Sequence, residues 1–110
     1  MSDIVHHNST LWVWRGGNNG SWHFATIDGA AGEAISAHEA MRRLELGPNG
    51  RGGRGFGSVK VKATIGDSSW NTSVFPSKPH KGFILPVKAA IRKAQDLSEG
   101  DEVSVALELL

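Results

Sequence analysis

Four tryptophans, five histidines and two arginines set among glycines are the residues of this chain whose chemistry is most versatile. Trp12, Trp14, Trp22 and Trp70 each offer a large apolar face and one N–H donor, suited to a small core or to stacking on a ligand ring. Trp12 and Trp14 are two residues apart, so on a strand they share one face while Leu11 and Val13 take the other. Both faces are then apolar, and one of them must meet something other than a barrel interior: a helix, a partner or a ligand. Trp22, Phe24 and Thr26 alternate in the same way with His23, Ala25 and Ile27.

His23 is the one histidine on a predicted central strand, which makes it the best candidate for a general base near neutral pH. His6 and His7 are neighbours that point apart if extended, His38 and His80 lie in other segments, and no zinc-ligand spacing appears, so no metal is expected. The absence of cysteine excludes thiol catalysis and disulfides. No Gly-x-Ser-x-Gly elbow marks a nucleophilic serine, and Ser68, Ser69 and Ser73 suit a turn and a strand as they stand. No cofactor is expected.

The segment Gly50-Arg51-Gly52-Gly53-Arg54-Gly55-Phe56-Gly57 reads two ways. It is a flexible loop feeding a strand, or a place where Arg51 and Arg54 grip an anion with help from free backbone N–H groups. It lacks the Gly-Lys-Ser/Thr of a phosphate loop, and it leads into a strand where a dinucleotide fingerprint would open a helix. Lys88 and Arg92 stand one helical turn apart, with Lys93 beside them. Such charges ordinarily make a solvated face; gathered by the fold, Arg51, Lys88 and Arg92 would make an anion site. The net charge of +1 supplies no general basic field, so nucleic acid is not an expected partner.

The elements that must position these residues follow from spacing. Residues 1–9 read as a polar lead-in, and Leu11–Arg15 and Trp22–Ile27 as strands around a Gly/Asn hairpin loop, where positive φ is tolerated. Ala30–Leu44 has the composition of a helix, with Ile35, Met41 and Leu44 able to share a face. Val59, Val61, Ala63 and Ile65 alternate with Lys60, Lys62 and Thr64, a half-buried strand. Trp70–Phe75 is a further strand and Pro76–Lys81 a turn. Phe83-Ile84-Leu85 is an apolar strand closed by Pro86, which suits the first position of a helix. That helix, Lys88–Ala94, is expected to bury Ala90, Ile91 and Ala94 and expose Lys88, Arg92 and Lys93. Gly100-Asp101 then turns into Val103, Val105, Leu107 and Leu109, one buried face of a last strand.

Hairpin, helix and strand occur from Leu11 to Ile65 and again from Trp70 to Leu109. The expected fold is mainly β with two short helices. It is a double-split β-barrel of two ββαβ halves related by a pseudo-twofold, filling residues 1–110 as a single domain with half-repeats at about 11–65 and 70–109. Closure would remove the edges that each half alone would expose; an open α+β sheet is the rival.

Leu85-Pro86, Ile91-Arg92, Leu97, Gly100-Asp101, Val103 and Val105 resemble the swapped-hairpin barrel of AbrB- and MazE-type bacterial regulators, which build one barrel from two chains. A closer resemblance covers nearly the whole chain. Leu11-Trp12, Ser21-Trp22-His23-Phe24, Gly55-Phe56-Gly57-Ser58-Val59, Ile65-Gly66, Phe75-Pro76, Leu85-Pro86-Val87-Lys88-Ala89 and Ile91-Arg92-Lys93-Ala94 resemble the bacterial domain-of-unknown-function family nineteen-oh-five. The resemblance implies a small double-split β-barrel and carries over no functional residue. Ile27-Asp28-Gly29 departs from the Leu-Pro usual after the second strand, which alters how the first helix starts.

The reading favoured by these residues is a non-catalytic binding module for a small anionic or aromatic ligand or a peptide. Its expected site joins Trp22, His23, Arg54 and Trp70, with a ring stacked on a tryptophan and Arg54 holding a charge. Two alternatives stand beside it: a small cofactor-independent enzyme using His23 and an Arg/Lys anion site, and a nucleic-acid-binding regulator by fold analogy. The start of the chain lacks a signal peptide's pattern and no apolar run nears the roughly 20 residues of a membrane span. A soluble, cytoplasmic monomer or weak homodimer is expected.

Overall fold

A computed structural model describes residues 3–17, 20–46 and 57–110. Among these residues six strands and two helices follow one another as β1 (Asp3–Gly17), β2 (Gly20–Asp28), α1 (Gly29–Leu46), β3 (Val59–Ile65), β4 (Ser68–Ser77), β5 (Gly82–Pro86), α2 (Ala89–Ala94) and β6 (Glu102–Leu109). The strands close a barrel in the order β1-β2-β5-β4-β3-β6, with every neighbouring pair antiparallel. The protein is therefore mainly β, and the rival open sheet does not form.

Alternation explains the interior. Val59, Val61, Ala63 and Ile65 of β3 point inward together with Val103, Val105, Leu107 and Leu109 of β6. Leu11, Ala25, Ile27, Trp70, Val74, Phe83 and Leu85 join the core from the other strands. Burying one such side chain fully contributes about 1.5–3 kcal/mol, whereas an exposed cross-strand pair adds less than about 1 kcal/mol. A one-residue slip would turn the whole apolar row outward, so burial fixes the register.

Three expectations need correction. The segment read as a polar lead-in is strand from Asp3 onward: residues 3–10 pair with β6, and from Leu11 the same strand pairs with β2. Pro86 does not open a helix. It ends β5 opposite Phe24, and α2 begins after Lys88, whose side chain makes no capping bond. Within α2 only Ile91 is buried; Ala90 and Ala94 are exposed and Arg92 is half-buried. The helix is a single short crossing, so only one of its faces reaches the core.

α1 descends closely onto β2 and β5. A Cβ on Gly82 would meet the Ile27 carbonyl oxygen and, at 2.9 Å, the Asp28 Cα, and a Cβ on Gly32 would lie 2.9 Å from that same carbonyl. Gly32 thus permits the approach of α1 that buries Ala31 and Ile35, while Gly82 lets β5 lie close against the end of β2. Among the described residues no helix is long and apolar enough to cross a membrane.

Candidate functional site

β5 is short, and its end creates the site. It stops at Pro86, paired with Phe24, while its neighbours β2 and β4 run on past it as Gly20–His23 and Ser68–Ser73. Val87 adds one more bond, its N–H donating to the His23 carbonyl at 2.9 Å, before the chain turns into α2. The gap between β2 and β4 becomes a cleft of about 470 Å³, bordered by Trp22, His23, Trp70, Thr72, Lys88 and Arg92, with Asn71 and Pro86 at its margins.

α2 is tied down at both ends. At its start, Arg92 Nε donates to the Val87 carbonyl at 3.2 Å. At its end, Gln95 Nε2 donates to Asp67 Oδ1 at 2.7 Å and Ser68 Oγ at 2.8 Å. Arg92 Nη1 also lies 3.4 Å from His23 Nε2. A guanidinium can only donate, so Nε2 accepts and the ring proton belongs on Nδ1. That nitrogen is buried and meets no acceptor among the described residues.

Desolvation pushes the His23 pKa below the ordinary histidine value, and the positive charges of Arg92 and then Arg15 push it the same way, against a smaller opposing pull from Glu99. The ring is therefore neutral near pH 7. Arg15 and Glu99 face each other at 2.8 Å on the surface. The hydrogen bond from Arg15, and then its charge, hold the Glu99 carboxyl below the usual carboxylate range. Arg92 has no such partner: no carboxylate among the described residues pairs with it or with Lys88.

Of the residues expected to form the site, Trp22, His23 and Trp70 border one cleft, and Lys88 and Arg92 border it too. Arg51 and Arg54 lie outside the described residues. Trp70 is the only tryptophan of the core, at 8% exposure. Among the described residues no group of three or more His, Cys, Asp or Glu side chains could hold a metal.

A second concavity, about 520 Å³, covers the outer face of β1, β2, β4 and β5. Trp12 is its centre, stacked on His80 at 4.6 Å between ring centroids and 5.0 Å from Phe24, with its indole N–H bonded to Thr26 Oγ1 at 2.8 Å. Trp14, Trp22 and Phe75 form the open rim, at 48%, 57% and 40% exposure. Phe75 and His80 were not among the expected site residues. Phase is the signal for Phe75: five positions from Trp70 and one from Val74, it must point away from the interior those two fill.

Fold and cleft together define a small closed antiparallel β-barrel whose wall parts at one strand end beside a short helix. The chain belongs to the family described as Domain of unknown function (DUF1905), whose model matches residues 8–107. No significant match was found among curated proteins.

Proposed function

We propose that the protein is a non-catalytic binding module, and that the cleft between β2 and β4 takes a small anionic ligand carrying an aromatic or other apolar part. The observation that carries this reading is the meeting of Trp22, His23, Trp70, Lys88 and Arg92 around one cleft, with no carboxylate on its border among the described residues. Arg92 is the fixed cation. Its Nε is held by the Val87 carbonyl, so its fork is already ordered for a carboxylate or phosphate. His23 favours binding over catalysis, because one ring nitrogen faces Arg92 and the other is buried, leaving neither free to exchange a proton with a substrate. Nucleic acid fits less well, since the net charge is only +1.

Thermal melts and calorimetry with benzoate, inorganic phosphate and a single-stranded oligonucleotide test the reading. Benzoate should bind, and Arg92→Gln should weaken it about tenfold, the loss of one charge-assisted pair. Silence of both small anions, or binding of the oligonucleotide alone, overturns it.

We further read the barrel as a double-split duplication in a bacterial cytoplasmic protein that works as a monomer or weak homodimer. Exchanging β1 with β4, β2 with β5 and β3 with β6 returns the same ring of strands, which supports the duplication. An experimental structure in which residues 11–65 and 70–109 fail to superpose strand for strand about one twofold axis would refute it.

A further inference from the structure

The cleft and the outer groove share Trp22 and Pro86, so they are continuous around one exposed indole. Their chemistries are opposite. Among the described residues the cleft carries two cations, Lys88 and Arg92, and no carboxylate pairs with either. The groove is walled by Trp12, Trp14, Phe24, Phe75 and Ile84, and its central indole N–H is already engaged by Thr26. We propose, building on the binding reading above, that the two form one site for an amphipathic anion: a carboxylate or phosphate head at Arg92 and Lys88, and an unbranched or aromatic apolar tail laid along the groove past Trp22.

The groove's composition excludes the polar occupants such a shelf might otherwise attract. A sugar or a polar peptide would bring hydroxyls and amides that find almost no partner there, each losing its bonds to water without replacement. Hydrocarbon loses nothing. The floor is also held in place, because His80, stacked on Trp12, is fixed through Nδ1 by Ser77 Oγ at 2.8 Å. Charge places the head: the Arg15 and Glu99 side chains neutralise each other, whereas no carboxylate among the described residues neutralises Arg92 or Lys88. The occupant therefore needs one negative end and one greasy end, in that order across Trp22.

Calorimetry on the full chain with acetate, hexanoate, octanoate, decanoate, octyl phosphate and octylammonium tests this, all below their micelle concentrations. Affinity should rise about three- to fourfold for each methylene that the groove covers. Trp14→Ala and Phe75→Ala should flatten that rise, so that decanoate gains little over acetate. Arg92→Gln should weaken every anion alike, and octylammonium should not bind. Comparing octanoate with octyl phosphate shows which head the cleft prefers, and either preference upholds the site. If benzoate binds but decanoate binds no better than acetate, the joint site is wrong while the cleft reading survives. If no anion binds at all, both fall. If octylammonium matches octanoate, or if tail dependence is absent and Trp14→Ala instead abolishes self-association, the groove takes something other than an anion's tail and the proposal is overturned.

Discussion

The barrel has two outer sides that share one interior. Behind β3 and β6 the outward residues are Lys60, Lys62, Thr64, Glu102, Ser104, Ala106 and Glu108, with Lys62 set opposite Glu108 in the ladder. Behind the second half of β1, with β2 and β5, they include Trp12, Trp14, Trp22, Phe24 and Ile84. The inward rows are alike, small branched apolar residues that a core requires. A barrel needs nothing of its outer face except that it tolerate water, and the first side meets that need with charges. The aromatic side goes beyond it, which is why the functional reading rests there and not on the side that alternates most regularly.

Substitutions can break this contrast. The largest effect is expected from Ile91→Asp, which places a charge with no partner beneath α2 and should cost about 3–5 kcal/mol. A melting temperature within a degree or two of the parent would contradict the burial of Ile91. Next, Leu107→Ala on the inner face of β6 should cost about 2–5 kcal/mol, while Lys62→Ala, on the outer face of neighbouring β3, should change stability by less than about 0.5 kcal/mol. Equal losses in chemical denaturation would mean the two faces are not distinct. Trp14→Ala sharpens the comparison: with much of its ring in water, its loss should lower stability by about 1 kcal/mol or less, so a large drop would make the aromatic side structural.

The smallest effect concerns pH. The folded-state pKa of His23 lies below its unfolded value of about 6.5, so between the two the unfolded chain binds the extra proton. Stability from this group is complete above about pH 6.5 and falls as the solution is acidified toward the folded pKa. His23→Asn should therefore lose less stability than the parent on going from pH 7 to pH 5. An unchanged difference between the two proteins across that range would remove the group from this role.

How much of this is legible in the sequence depends on where each strand finds its partners. β3 and β6 are readable because their own spacing contains the answer, an apolar residue at every second position beside a polar one. The first half of β1 is not, since His7, Asn8 and Ser9 find their places through other strands. His7 Nε2 meets Asp28 Oδ1 at 3.1 Å, Asn8 Oδ1 accepts from Ser104 Oγ at 2.8 Å, and Ser9 Oγ accepts from the Thr26 N–H at 3.1 Å. Polar residues paired across a sheet look, in one dimension, like polar residues in a loop. The meeting of Trp22, His23 and Trp70 could be anticipated from strand order, whereas the early stop of β5, which opens the cleft, could not. Pro86 announces an interruption but does not say that both neighbouring strands continue past it.

The split allegiance of β1 also sets a timetable. Asp3 lies opposite Leu109 and Thr10 opposite Glu102, so β1, synthesised before the other five described strands, finishes its ladder only with β6. Until β6 arrives, β1 and β3 each present a row of unsatisfied N–H and C=O groups able to recruit another chain. Contacts so distant along the chain make barrel closure the slow, late event of folding. On the ribosome the hairpin of β1 and β2 can form early, but the barrel stays open to aggregation until β6 emerges.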